Sequence, residues 1–495
     1  TVKSVADPVT LIGEFRFRTA MSLGDNSAAP GGGGTTPIGP GAPGPFAPVG
    51  AEHDGWWVDS LMRAGMLYDF GKDYTAYAEM RAKWAFGQAS GTSFPYSFNA
   101  GGGIGSGGGS AGQGTPGNSE ASIFDVNTYV FIHQAWLEAR RVFGAEELSY
   151  RVGRQEIALG NQFQIGGAEW YDGFNFDALR LDWTDDAWRL TGVATKLQSV
   201  DSDGNQRTSF FNSHDDDELF ALYFTYTGVQ DHAFDAYWIF VNGHGGSDDG
   251  GAAPSIGTLG NFVGDPLGAG GTAYYHTLGV RAGGVFRDVA AGLDYNVEAA
   301  WQIGSGAGSP AGTLGGGPAI GSYDIDAYAI EAEVGLTFES ESNFRAYARA
   351  LMAEGPSSTD AAYTPLYPTR HAASGYRARY GLFDLIPMSN VLSLQGGVHF
   401  DPAEEWTIGA TVLWATADSS GTTPGNGRNG GGFVVSGPDA VYGVECDVWA
   451  EYRAGSQLVI SAGLAFLFPS AAGEAMWLLD GDPHFYAYFQ TRLAF

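Results

Sequence analysis

Polar and apolar side chains alternate along most of this chain, in segments of roughly 10 to 15 residues. Near the N-terminus, the charged Glu14, Arg16 and Arg18 alternate with Phe15 and Phe17. A period of two is that of a β-strand whose two faces meet different surroundings. No stretch approaches the ~20 consecutive apolar residues that a membrane-spanning helix needs. The pattern therefore predicts an all-β protein built from strands with one apolar and one polar face.

Eighteen segments fit this description. The predicted strands lie near 11–22, 55–70, 74–90, 125–143, 148–160, 174–185, 187–200, 215–228, 233–243, 272–287, 289–305, 322–339, 344–354, 390–400, 406–418, 439–453, 457–468 and 483–495.

The connections between these strands alternate strictly in length. Short turns alternate with long loops along the chain. Examples of the short turns are 71–73 and 454–456, and examples of the long loops, many of which are rich in glycine, are 244–271 and 355–389. This alternation is typical of an outer-membrane barrel with an even strand number and both termini on the short-turn side. We therefore expect one domain over 1–495, a transmembrane antiparallel β-barrel of about eighteen strands, with short periplasmic turns and long Gly-rich extracellular loops.

The side chains of a strand alternate between its two faces, and we call the residues that share one face a parity. The parity that carries the charges is expected to face the lumen, because a basic side chain on the lipid face costs ~2–4 kcal/mol at the bilayer midplane. The residues predicted to line the pore and set its selectivity are Arg16, Arg18, Arg81, Arg140, Arg151, Arg180, Arg345, Arg349, Glu79 and Glu138. Arg189 and Arg492 also lie within predicted strands.

Two interpretations of these arginines stay open. Fixed cations in a pore raise the local concentration of anions and favour their passage. Alternatively, each arginine pairs with an acid of the lumen and stiffens the wall, the candidate partners being Glu14, Glu79, Glu138 and Glu298.

Composition narrows the functional classes. The formal net charge of −30 makes a nucleic acid an unsuitable partner, because binding to phosphates needs a basic surface. The single cysteine, Cys446, excludes an intramolecular disulfide framework and lies on the apolar parity of its strand. The sequence begins at Thr1 without a basic segment followed by an apolar one, which predicts a secreted precursor whose signal peptide has been removed.

Cofactor chemistry has one weak candidate. Asp201, Asp203 and Asn205 form an oxygen-rich run that suits Ca²⁺, but the distal bidentate glutamate of a calcium loop is missing, and a solvated acidic loop is the default interpretation. The nine histidines show no metal-ligand spacing, and no Ser/His/Asp set converges on a strand end. We expect no other cofactor and no enzymatic activity.

Two motif regions resemble a known family. The first contains Trp136, then Gly153-Arg154-Gln155, then Asp177 in the run FDALRL. The second contains 368–371, 381–384 and Ser389-Asn390. Together they resemble the signatures of the alginate export family, outer-membrane porins that pass alginate out of the cell.

This resemblance implies an eighteen-stranded monomeric channel with an arginine-rich, anion-favouring constriction narrowed by inward-folding loops. The segment 355–389 is the candidate constriction loop or plug, through Arg370, His371, Arg377 and Arg379. Two features depart from the family pattern. The chain is strongly acidic, and its short turns include no long periplasmic gating loop.

The preferred prediction is therefore a passive bacterial outer-membrane porin for hydrophilic solutes. These solutes are expected to be anionic, and a polysaccharide is one candidate. The alternative is a structural or adhesive barrel with a plugged lumen and surface-interacting loops. The expected partners are the solute, outer-membrane lipid and lipopolysaccharide. The last strand, which ends in Phe495, resembles the signal read by the outer-membrane assembly machinery.

Overall fold

The computed structural model describes the strands and the parts of the loops nearest to them. The described residues are 9–23, 55–86, 129–166, 175–198, 217–244, 272–289, 292–307, 322–355, 357, 360, 362–363, 366, 368, 379, 381–383, 388–419, 421–423, 433–435, 440–473 and 482–495.

Eighteen long strands and one small hairpin make up this part of the chain. The long strands are β1 (Val9–Leu23), β2 (Gly55–Asp69), β3 (Tyr74–Phe86), β4 (Tyr129–Arg140), β5 (Leu148–Gln155), β6 (Phe176–Thr184), β7 (Trp188–Gln198), β8 (Asp217–Tyr226), β9 (His232–His244), β10 (Thr272–Phe286), β11 (Leu293–Ala307), β12 (Ser322–Thr337), β13 (Arg345–Ala353), β14 (Val391–Ala403), β15 (Trp406–Thr416), β18 (Val441–Ala454), β19 (Leu458–Pro469) and β20 (His484–Ala494). The hairpin pairs β16 (Gly421–Thr423) with β17 (Phe433–Val435).

The eighteen long strands form one closed antiparallel sheet. Each pairs with its neighbour along the chain, with β15 joined to β18, and β1 pairs with both β2 and β20. At the closure, Gly13 and Phe495 exchange two backbone hydrogen bonds of 2.8 and 3.0 Å. Closure leaves no free sheet edge, which a membrane interior does not tolerate. The predicted all-β, eighteen-stranded barrel is confirmed.

The two faces of the sheet differ as the alternation predicted. On β1, Glu14 and Arg18 are buried, whereas Phe17 between them is 46% exposed on the outer face. On β15 and β18, the outer face carries half-exposed Val412 and Val448. Side chains of this kind form the apolar band that a barrel presents to lipid. Among the described residues, no helix has the length and apolar character needed to cross a membrane.

One predicted strand end is wrong in an informative way. The sequence predicts that the fifth strand reaches 160, but β5 ends at Gln155. Beyond it, Gly160 and Gln162 adopt left-handed φ values of 55° and 65°, and the Leu159 N–H donates to the Ile165 carbonyl at 3.0 Å. These turns bend the chain back on itself, so its apolar side chains are buried inside the barrel instead of continuing the wall.

Placing a charge on the outer face tests this orientation. We expect Val412→Arg to lower the free energy of unfolding in lipid vesicles by about 2–4 kcal/mol, because Val412 lies in the middle of β15 on the lipid side. Urea titration followed by heat-modifiable gel mobility measures the change. Val412→Phe is the matched control and should leave stability within about 1.5 kcal/mol, because it keeps an apolar side chain there. Equal stability of Val412→Arg and the parent protein would contradict the assigned orientation.

Candidate functional site: the barrel interior and its inner loops

The ten side chains predicted to line the pore all lie on the interior parity of their strands. Most of the arginines bind carboxylates. Glu138 accepts hydrogen bonds from Arg140 at 2.8 Å and from Arg151 at 2.5 Å, and the Arg151 guanidinium lies 3.9 Å from the ring centre of Trp136. This geometry supports the pairing interpretation for that part of the wall.

The same arrangement recurs further round the barrel. Arg345 binds the Asp294 carboxylate through two hydrogen bonds, of 2.8 and 2.5 Å, and also contacts Glu333 at 2.8 Å. Arg349 pairs with Glu333 as well and donates to Gln395 at 3.2 Å. Two-point contacts between guanidinium and carboxylate are the geometrically specific form of this interaction, so these side chains are held in defined orientations.

Two further carboxylates, Asp182 and Glu14, each lie close to two arginines. Asp182 accepts from Arg180 at 2.8 Å and from Arg189 at 2.6 Å. Glu14 lies 3.6 Å from Arg16 and 3.3 Å from Arg492. The predicted role of the arginines in selectivity stays a prediction.

Sequence reasoning missed two important arginines. Arg63 on β2 binds Glu79 at 2.8 Å, and Arg281 on β10 binds Asp235 at 2.7 Å. Each is the only charged residue in an apolar or glycine-rich run, so only counting parity from the strand ends identifies it as an interior residue. Glu298 was proposed as an arginine partner, but its hydrogen bond comes from the Tyr237 hydroxyl at 2.9 Å.

The first inner loop (residues 156–166) is fixed to the wall by Glu156. The Glu156 carboxylate lies 2.7 Å from His133 and 3.2 Å from Arg63. Burial opposes its charge, but the hydrogen bond with His133 and the charge of Arg63 outweigh burial, so the pKa of Glu156 lies below its usual range. A lowered pKa means that the contact is stabilising above the ordinary carboxyl pKa and is lost as pH falls through the lowered value. The loop therefore stays attached at neutral pH.

A β-bulge on β4 makes this attachment possible. The register between β3 and β4 shifts between Glu79 and Met80, which leaves His133 as an extra residue in β4. His133 and Gln134 are consequently both buried on the interior side. The Gln134 side chain accepts the backbone N–H of Glu156 at 3.3 Å, next to the His133 contact.

The second inner loop (residues 355–390) meets the first through Arg379. Its guanidinium contacts Glu331 of β12 at 2.6 Å and donates to the carbonyl oxygens of Asn161 and Gln162 at 3.1 and 3.4 Å. One side chain thus joins a strand and two loops. The other predicted constriction-loop residues, Arg370, His371 and Arg377, lie outside the described residues.

Buried apolar side chains of the first inner loop pack against those of the second. Phe163 and Tyr363 stack with ring centres 6.5 Å apart, and both are fully buried. Leu382 and Phe383 are also buried, and the Phe383 backbone N–H donates to Glu445 of β18 at 2.8 Å. The described residues of the two loops therefore pack together inside the barrel and are attached to the wall by hydrogen bonds on several sides.

The first motif region shapes the wall just before the first inner loop. Gly153 has φ of 120°, and a Cβ at this position would collide with the Ala135 carbonyl oxygen. Gln155 is fully buried and donates to the Ala178 carbonyl at 3.0 Å. Arg154 instead lies on the outer parity, where it makes a two-point contact with Asp177 at 2.9 and 2.8 Å. Gly153 and Gln155 therefore fix the backbone at the end of β5, and Arg154 forms an ion pair on the outer face. None of these contacts requires a solute.

The second motif region fixes the start of β14. Asn390, with φ of 48°, donates to the Ser419 carbonyl at 3.0 Å and accepts the Ser419 N–H at 2.8 Å. Its own carbonyl accepts the Tyr442 hydroxyl at 2.8 Å. Asn390 therefore ties the end of the second inner loop to the top of the barrel.

Interior charges of the barrel strands are unevenly distributed among the side chains that the structure describes. We define the cationic half as β20 with β1–β7, which carries nine arginines against five carboxylates. The arginines are Arg16, Arg18, Arg63, Arg81, Arg140, Arg151, Arg180, Arg189 and Arg492, and the carboxylates are Glu14, Asp69, Glu79, Glu138 and Asp182.

The anionic half, β8–β15 with β18 and β19, shows the reverse. Its described interior side chains include nine carboxylates against four arginines. The carboxylates are Asp235, Asp294, Glu298, Glu331, Glu333, Asp401, Glu445, Asp447 and Glu451, and the arginines are Arg281, Arg345, Arg349 and Arg453.

The candidate calcium ligands Asp201, Asp203 and Asn205 lie outside the described residues. The calcium site stays a prediction.

Comparison with known proteins identifies the family. The family profile for alginate export matches residues 71–463, which is most of the chain and includes both motif regions and both inner loops. The chain belongs to the alginate export family. It is accordingly a protein of the bacterial outer membrane, with the family and fold of a channel rather than of an enzyme.

Solved outer-membrane porins share the architecture of this alginate export protein. OccK8 (OprE) of Pseudomonas aeruginosa superposes with a TM-score of 0.54 at 10% identity, covering 98% of each chain. OpdK of the same organism, solved with vanillate, gives 0.53 at 10% identity, again over 98% of each chain. OccAB2 of Acinetobacter baumannii gives 0.51 at 10% identity and 98% of each chain. At such identities the likeness concerns the fold. No curated protein sequence matches the chain.

Substitution at Gly153 tests the structural role of the first motif. We expect Gly153→Ala to destabilise the barrel by about 1–3 kcal/mol, because it adds a Cβ against the Ala135 carbonyl at a left-handed φ. The measurement is urea unfolding of the protein refolded in vesicles. Gly396→Ala is the control, since a Cβ there meets nothing within 4 Å. Equal effects of the two substitutions would contradict the assigned role of Gly153.

Proposed function

We propose that this protein is a passive outer-membrane channel whose aperture is set by the two inner loops. The observation that carries the proposal is the Arg379 contact, which joins Glu331 of the wall to the first inner loop within an enclosed, polar-lined barrel. A barrel of this strand number leaves room for an aqueous path. Loops folded into that space narrow it, and small hydrophilic solutes pass along the remaining charged wall.

Carboxylate-bearing solutes are the favoured cargo within this proposal. Arginines of the cationic half are well suited to weak, repeated contacts with carboxylates, because a guanidinium presents donors in a planar fork. The solved complex of OpdK with vanillate supports the idea that this architecture admits a small carboxylate. A strong preference for cations in reversal-potential measurements would contradict this choice of cargo. The polysaccharide cargo stays a prediction, and block of the ion current by uronate oligomers tests it.

The fully buried stack of Phe163 on Tyr363 favours a second candidate, a barrel whose lumen is plugged and whose function is structural or adhesive. The two candidates differ in one measurement. A plugged barrel conducts no ions across a planar bilayer, whereas a narrowed channel shows discrete conductance steps.

Loosening the inner loops is the direct test of the channel. We expect Arg379→Ala to raise the single-channel conductance by about twofold, because it frees the second inner loop from Glu331 and from the first loop at once. Arg287→Ala is the control. It removes an arginine that pairs with Asp231 at 2.7 Å on an exposed short turn, and it should leave conductance unchanged.

Two outcomes count against the channel. Unchanged conductance in folded Arg379→Ala protein would show that the inner loops do not limit the current. Complete lack of conductance in both the parent protein and this variant would favour the plugged barrel.

A further inference from the structure

The interior charges that the structure describes are sorted by sign into two facing halves of the barrel. Among the described side chains, the strands of the cationic half carry four more arginines than carboxylates, and those of the anionic half carry five more carboxylates than arginines. The two halves are runs of consecutive strands in a closed sheet, so they form opposite sides of one lumen.

Ion pairing does not remove this separation, because the ion pairs described above form within each half. Arg63 and Arg151 bind acids of the cationic half, and Arg281 and Arg345 bind acids of the anionic half. The unequal numbers therefore persist after pairing. Buried charges are screened by salt much less than exposed ones, and a lumen enclosed by low-dielectric walls concentrates their field. The result is a field directed across the pore, perpendicular to the path of the solute.

The inner loops follow the same polarity. The first inner loop emerges from the cationic half and presents the carboxylate of Glu156 to Arg63 of that wall. The second emerges from the anionic half and presents Arg379 to Glu331 of that wall. These two contacts place one opposite charge on each side, which reduces the excesses counted among the described side chains to three and four. The separation is reduced but keeps its direction.

We propose that the preferred cargo is dipolar: a small zwitterion that carries a fixed anionic group and an ammonium group. Such a solute aligns across the lumen, with its anion toward the cationic half and its ammonium toward the anionic half. A solute with one charge gains from one wall and is opposed by the other. This inference rests on the proposed channel function and specifies its substrate class.

Solute influx into proteoliposomes tests the proposal. The probes are taurine (a zwitterion), isethionate (the same molecule with a hydroxyl in place of the ammonium), choline (a cation) and arabinose (uncharged). We expect taurine to enter about threefold faster than isethionate or choline. Arabinose influx reports whether the channel is open and is independent of charge.

Paired substitutions assign the effect to the two halves. Asp447→Asn with Glu451→Gln, on the anionic half, should lower the ratio of taurine to isethionate influx towards one. Arg16→Gln with Arg492→Gln, on the cationic half, should lower the ratio of taurine to choline influx. The matched control is Asp324→Asn with Asp326→Asn, because these carboxylates lie on the outer parity of β12. It removes the same charge as the first pair and should leave both ratios unchanged.

The outcomes separate the two proposals. Arabinose influx without faster taurine influx would overturn the dipolar cargo and leave the channel standing. Faster taurine influx that neither interior pair reduces, in variants that still admit arabinose, would also overturn it. Absence of arabinose influx and of ion conductance would overturn the channel itself.

Discussion

The demand that every backbone polar group in a bilayer find a partner governs this structure. Water is absent from the hydrocarbon layer, so a sheet there must close on itself. The pairing of β1 with β20 meets this demand and encloses a space. That space is the only place at membrane depth where charged side chains can be solvated, and most of the charged side chains on the described strands accordingly face it. Closure of the sheet and the inward orientation of the charged side chains therefore both follow from the absence of water in the hydrocarbon layer.

The wall was largely predictable from the sequence, whereas the contents of the barrel were predictable only in part. Strand number, strand order and the side on which Glu14 or Arg18 lies follow from a period of two and from loop lengths, both of which are local properties. Arg63 and Arg281 were not predicted as interior residues, because each is an isolated charge in an apolar or glycine-rich run. The family resemblance implied that 355–389 folds inward, but the first inner loop was predicted as part of a strand. The contact between the two loops was not predicted because it is long-range: Arg379 and Asn161 are more than two hundred residues apart in sequence. No local pattern reports such a contact.

The motif residues of the family show a related division of roles. Gly153, Gln155 and Asn390 act on backbone geometry where a strand gives way to a loop or a loop to a strand. Their contacts explain why short motifs coincide with the boundaries of the inner loops. The charged groups that face the lumen lie mostly outside the motifs. Within one architecture, the boundaries between strands and inner loops and most of the interior charges are therefore set by different residues.

The additional residue in β4 has a consequence for how such a channel can vary. His133 and Gln134 are adjacent in sequence, and both side chains point into the barrel. Gln134 accepts the backbone N–H of Glu156, and His133 contacts its carboxylate. The base of the first inner loop is thereby attached to β2 and β4 of the barrel wall. An insertion that keeps the register of β3 and β4 keeps this attachment as well, so the position of the first inner loop in the lumen depends on strand pairing rather than on loop length.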